Sequence, residues 1–273
     1  MSSRDAERTD AGVERRSVLH GAALAAGGVL LGGAVDLAAA GEAFAGVRPR
    51  VYTRGDWNAR KPKNWAVVRS SPPDRIVVHH TATANSSNRS KSHAFALSRS
   101  IQNFHMDTNG WSDTGQQLTI SRGGHVMEGR NRSLKAIAAD NHVVGAHTAN
   151  HNKHTIGIEN EGNYVSATPP RDLMRALTDT CAWLCLSYGL DPATAIVGHR
   201  DYNATACPGD RLYAMLPQLR SDVRARLRSL EARVVLREDS AVPEEHLPTY
   251  PDVPADERRA PFYHGPAVGP RDG

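Results

Sequence analysis

Apolar and polar positions follow two periods along this chain, and the changes of period lay out its elements. "DRIVVHH" at 74–80 is rich in β-branched residues and starts behind Pro72-Pro73, which predicts a strand. Phe95, Leu97, Ile101, Phe104 and His105 then recur at helical spacing and stop at Asn109-Gly110, predicting a helix over about 90–108. Short apolar segments at 115–121 and 125–130 flank Gly123-Gly124 and read as a hairpin. Two further strands are expected at 142–147 and 155–162. Pro169-Pro170 opens and Gly189 closes a helix through "LMRALTDTCAWLCLSYGL", "TAIVGH" at 194–199 is a last strand, and Pro208 is expected to open a final helix to about Leu230. The order predicts an α/β (α+β) fold, a central mixed β-sheet of five to six strands with three main helices packed on it.

The two ends of the chain read differently. "ERRSVLHGAALAAGGVLLGGAVDLAAAGEAFAG" begins at a paired arginine and runs through an uncharged Ala/Gly-rich stretch to small residues near Ala40 or Ala45. This is the layout of an export signal, and the paired arginines resemble the twin-arginine type. The expected organisation is therefore a signal at 1–45, a folded domain at 46–230 and, from 231 to 273, a Pro-rich acidic tail that is largely disordered. The mature form is then secreted or held in the cell wall, with no stable membrane insertion, and is expected to be a monomer.

Charge sharpens the division, because residues 46–230 carry 24 Lys and Arg against 14 Asp and Glu, whereas residues 231–273 carry 5 against 9. A basic body suits an anionic partner, whether nucleic acid, a membrane or a wall polymer. Cys181 and Cys185 fall on one helical face as small hydrophobes, which leaves Cys207 without an obvious partner.

Chemistry concentrates at three strand or loop ends. His79 closes one strand, His199 closes another, and Cys207 follows at a loop-to-helix junction in "AIVGHRDYNATACPGDRL". Two imidazoles and a thiolate are a donor set for zinc with a fourth position open for water. A helix beginning at Pro208 would place the Cys207 sulfur at the positive end of a dipole. Spacing alone leaves the alternative open, since a chain with 13 histidines can place a structural histidine and a packing cysteine at this distance. A zinc knuckle of a nucleic-acid-binding protein would need a fourth ligand close in sequence. None is suitably spaced, so nucleic acid is not expected as a partner.

Several stretches in order decide the matter: "RGDWNA" at 54–59, "VVHHTAT" at 77–83, "GWSDTGQQLTISRGGHVMEGR" at 110–130, "VGAHTANHNKHTIGIENEG" at 144–162 and "VGHRDYNATACPG" at 197–209. Together they resemble the zinc-dependent N-acetylmuramoyl-L-alanine amidases, a family that includes peptidoglycan recognition proteins and phage amidase-lysozymes. The resemblance covers roughly 50–225. It implies Zn2+ held by His79, His199 and Cys207, with His80 pointing to the other face of its strand.

The resemblance also implies a peptidoglycan partner, bound through its stem peptide and N-acetylmuramic acid, and cleavage of the amide joining them. Where many relatives carry a catalytic tyrosine this chain has Gln116, which cannot act as a base and is expected to meet substrate instead. Glu159 matches the catalytic glutamate of muropeptide-recycling amidases and becomes the expected general base and acid. Thr205 matches a position where relatives place lysine or threonine, and is expected either to bond the oxyanion or to cap the loop. His147 is expected to contact substrate, whereas Trp57, Trp111 and Arg130 match framework positions. The other activity class compatible with these residues is a recognition protein that binds peptidoglycan without hydrolysing it.

Overall fold

The computed structural model describes residues 48–229, 242–249 and 261–273. The expected signal at 1–45 lies outside them. Eight strands form, in chain order β1 (Val51–Tyr52), β2 (Val68–Arg69), β3 (Arg75–His80), β4 (Leu118–Ile120), β5 (Val126–Glu128), β6 (His142–Val143), β7 (Thr155–Asn160) and β8 (Ile196–Gly198). Six of them make one sheet in the order β1-β5-β4-β7-β3-β8, while β2 and β6 pair apart from it. β4 and β5 are the expected antiparallel hairpin, and β7, β3 and β8 run parallel. The strand expected at 142–147 shrinks to β6, whose partner is β2 and not the main sheet.

The helices are α1 (Lys91–Asn103), α2 (Ser133–Ala138), α3 (Arg171–Tyr188), α4 (Pro192–Ala195), α5 (Asp210–Ala214) and α6 (Leu216–Arg228). Three of these are long, as expected. Ser90 caps α1 by accepting from the His93 amide, and α1 continues through a wider turn at Phe104–Thr108. Gly189 ends α3 at φ +64°, the left-handed conformation in which glycine carries no Cβ penalty. The single final helix expected from Pro208 is instead two. Gly209 takes φ +90° ahead of α5, and Met215 separates α5 from α6. Pro208 lies in the loop, joined to Cys207 by a cis peptide, and is not a first helical residue.

Side-chain alternation divides the sheet. Ile76 and Val78 of β3, Leu118 and Ile120 of β4, and Ile156 and Ile158 of β7 enter the main core with Leu173, Leu177 and Leu184 of α3 and Leu219 and Val223 of α6. Val77 faces the other way, against Val197 and Tyr202, and so does His79. On that second face Met127 packs with Trp57 and with Ala94 of α1 toward the β1 side of the sheet. Beyond Val77 and Val197, the carboxyl end of that face over β7, β3 and β8 carries buried polar groups.

The expected disorder of the tail does not hold for two stretches. Residues 242–249 lie on the domain through Tyr202, whose hydroxyl donates to the His246 carbonyl, and through Asp201, whose carbonyl accepts from the Thr249 amide. Residues 261–273 pack across the β7-β3-β8 face, where the Phe262 amide donates to the Thr81 carbonyl and Asp272 caps the amides of Asn150 and Asn152. The second stretch begins with ten uncharged residues, "PFYHGPAVGP", that offer apolar surface which the acidic composition of the tail as a whole conceals. None of the helices among the described residues is long and apolar enough to cross a membrane.

Candidate metal centre

Parallel pairing places the key residues at the carboxyl ends of adjacent strands, where open α/β sheets carry their sites. β3 lies between β7 and β8. His79 is in register with Glu159 on β7, and Gly198, the last residue of β8, hands the chain to His199. The loop after His199 is folded back by its own polar groups. Asp201 accepts from the Gly198 amide and from the Tyr213 hydroxyl, the Arg200 amide donates to the Cys207 carbonyl, and the Arg200 guanidinium bonds the Ala206 carbonyl. Cys207 is thereby returned to the end of β3.

The Cys207 sulfur lies 3.7 Å from His79 Nδ1 and accepts the His80 amide at 3.4 Å. That N–H faces the sulfur in place of the helix terminus expected from the sequence, because the helix starts only at Asp210. The His80 side chain faces away from His79, its Nδ1 accepting the Tyr164 amide. His79, His199 and Cys207 are all fully buried, and the His79 and His199 rings stand 4.6 Å apart.

A fourth donor joins them. His264, from the 261–273 stretch, stands with its ring 5.0 Å from that of His79. One ligand atom from each of His79, His199, Cys207 and His264 lies within 4.8 Å of the others. Nδ1 of His199 and Nδ1 of His264 are buried with no hydrogen-bond partner. A buried, unpaired imidazole nitrogen is costly unless something else fills its lone pair. Two such atoms beside a sulfur and a third imidazole form a nitrogen-sulfur donor set that fits zinc.

Electrostatics agree with neutral imidazoles, the form that ligates, at His79 and His199. Burial, followed by the neighbouring His199 and His264, holds His79 well below its ordinary value, and burial with His264 lowers His199 to about 3. His264 moves the other way. Burial alone would lower it, but the Glu159 carboxylate and Cys207 outweigh that and raise it.

The remaining expected residues converge on the same place. Glu159 is 2 % exposed, and its carboxylate accepts from His264 Nε2 at 2.9 Å. Glu161, two residues on, points to other partners: it pairs with His93 at 2.6 Å and accepts the Arg122 amide at 2.7 Å. The Thr205 hydroxyl accepts the Cys207 amide and donates to the His264 carbonyl. His147 lies behind His79, with Nδ1 3.0 Å from His79 Nε2 and Nε2 3.3 Å from the Thr155 carbonyl. It therefore orients the ring whose other nitrogen faces Cys207, and it also borders the cavity above.

That cavity, about 260 Å³, is bounded by Gln116, His147 and Glu159 on the domain side and by residues 262–268 on the other. Gln116 Nε2 is held by Thr119, and its Oε1 is buried without a partner. Of the framework positions, Trp57 bonds the Glu128 carbonyl and Arg130 the Thr114 carbonyl, while the Trp111 ring lies tilted against His105 at the cavity edge.

Residues 69–210, just over half of the chain, match the family N-acetylmuramoyl-L-alanine amidase. The chain belongs to that family. The human N-acetylmuramoyl-L-alanine amidase is 34% identical to this amidase-family chain over 176 residues, 64% of this chain and 29% of the human protein. The pig protein of the same name is 33% identical over 68% of this chain and 30% of its own length, so the chain spans less than a third of either. Peptidoglycan-recognition protein LB of Drosophila melanogaster is 30% identical over 60% of this chain and 66% of its own length.

Solved structures repeat the fold. Wild-type Drosophila PGRP-LB superposes with a TM-score of 0.54 at 29% identity, covering 61% of this chain and 92% of that one. The ectodomain complex of PGRP-LCa and PGRP-LCx bound to tracheal cytotoxin gives 0.54 at 27%, covering 62% and 95%.

One donor escaped the sequence reading. His264 lies 57 residues beyond Cys207 in a stretch whose overall composition reads as solvated. The local signal was the uncharged run around it, flanked by "DERR" and "RD".

Proposed function

We propose that this chain is an exported, zinc-dependent amidase that hydrolyses the bond between the lactyl group of N-acetylmuramic acid and L-alanine in peptidoglycan. The observation that carries the reading is the register of His79 with Glu159 beside the unpaired His199 nitrogen and the Cys207 sulfur. Relatives named for this activity, and neighbours bound to a peptidoglycan fragment, support the substrate class.

Zinc held by His79, His199 and Cys207 would supply Lewis acidity toward the scissile carbonyl and toward water. Glu159 takes the proton from the attacking water and passes it to the departing L-alanine nitrogen as the C–N bond breaks, leaving a lactyl carboxylate and a free amine. The Thr205 hydroxyl offers its proton to the carbonyl oxygen that gains charge. Gln116 Oε1, buried and unpaired at the cavity wall, offers an acceptor for an amide N–H of the stem peptide. His147 acts through His79 and holds its tautomer.

Incubating purified sacculi with the zinc-loaded protein and with a chain ending at residue 260 is expected to produce new L-alanine amino termini. Sacculus binding by both proteins without new termini would instead establish a recognition protein, the reading that Gln116 in place of the family's tyrosine favours.

A further inference from the structure

The groups that an amidase must keep available are each engaged by the chain itself. Zinc hydrolases leave one coordination position open, whereas four protein donors make a closed site. Here His264 brings the donor set to four. Its Nε2 bonds Glu159, the expected base, at 2.9 Å. Its backbone carbonyl receives the Thr205 hydroxyl, the donor assigned to a substrate carbonyl. The next carbonyl but one, Pro266, accepts from His199 Nε2 at 2.9 Å and from the Ala149 amide at 3.2 Å.

This occupation is built and specific. Gly265 passes at φ +130°, and a Cβ there would meet Thr205 Oγ1 at 2.6 Å, so the backbone approaches the site as only glycine allows. Beyond it Asn152 donates to the Ala267 carbonyl at 2.8 Å, and Asp272 accepts from the Asn150 amide at 2.7 Å. Residues 242–249 give the same part of the chain a second attachment, where His246 Nδ1 lies 2.7 Å from Asp74 Oδ2 and its ring stacks 3.6 Å from that of His154.

We infer that residues 261–273 are an intramolecular plug that mimics substrate: His264 fills the metal's fourth position, its carbonyl takes the place of a scissile carbonyl, and the folded chain is a latent enzyme. The inference rests on the amidase reading above, and the test separates the two. The plug is a competitor at fixed local concentration, so activity scales with the fraction of chains in which it is unseated.

Three proteins are compared: the full chain, a chain ending at residue 260, and the full chain with His264→Ala, which keeps every backbone contact of the plug. Each is loaded with Co2+ and its visible spectrum recorded, then loaded with Zn2+ and assayed on sacculi, with circular dichroism melts verifying that each is folded. The full chain should show a four-donor spectrum that both variants lose, and a synthetic peptide of residues 261–273 should restore it to the shortened chain. Cleavage by the shortened chain should exceed that of the full chain by about tenfold or more, as for a site open about one-tenth of the time. Identical cobalt spectra in all three proteins would overturn the plug while leaving an amidase that cleaves sacculi. Altered spectra with equal cleavage, or slower cleavage by both variants, would overturn latency. Altered spectra with no cleavage by any of the three would remove the amidase reading and leave His264 as a ligand.

Discussion

A Cβ added at Gly157 would lie 2.7 Å from the His147 ring, and Gly145 leaves room for the same ring from the other side. Two backbone positions without side chains thus seat the imidazole that orients His79. Gly157→Ala should displace His147 and weaken zinc affinity by about 10–100-fold in competition with a chelator, while the far-ultraviolet dichroism stays native. Glu159→Gln, made in the chain ending at residue 260, should retain stoichiometric zinc yet lose roughly 10²–10⁴ in the rate of L-alanine release. Cys207→Ser should lose zinc measured by elemental analysis. At this scale strand alternation was legible, because it separates His79 from His80 on β3. The sequence could not carry His264, since a ligand that arrives from a distant segment leaves no local spacing to read.

Within elements, α3 was the most legible. Its apolar positions repeat at helical period, and Gly189 supplies the left-handed stop. Leu177 is fully buried in the core that α3 shares with the sheet, so Leu177→Ala should cost about 2–5 kcal/mol in denaturant unfolding. Cys181 and Cys185 are buried on the same helix as free thiols, and burial raises both above the ordinary thiol range, which keeps them protonated and inert. The break between α5 and α6 was not legible, because Leu212, Leu216, Leu219 and Val223 keep helical period across it. Periodicity reports which side chains are buried and is blind to a one-residue interruption of the backbone. β6 illustrates the same limit, since two residues paired with β2 carry too little pattern to reveal which sheet they join.

Among the described residues seven histidines are held below their ordinary value chiefly by burial, and this sets the response to acid. Burial lowers His142 to about 4, and its Nδ1 has no partner, so protonation would strand a charged N–H. A group with a depressed basic pKa binds protons more readily in the unfolded chain, so stability is full above about pH 6.5 and falls as pH drops toward the folded value. For His142 alone the loss at pH 5 is about 2 kcal/mol, and His151, also lowered to about 4 chiefly by burial, adds in the same direction. Melting temperature should therefore drop steeply between pH 6.5 and 4, and His142→Gln should flatten that slope. The fold itself was visible at this scale in the order of strands and helices, whereas the packing of residues 261–273 depended on a short uncharged run inside an acidic stretch. The pairing of His79 with Glu159 across β3 and β7 has a last consequence. Their separation is set by the spacing of two hydrogen-bonded strands, a backbone ruler that no loop participates in. Selection can therefore rewrite the surrounding loops, and with them whatever enters the cavity, without recalibrating the distance between these two side chains.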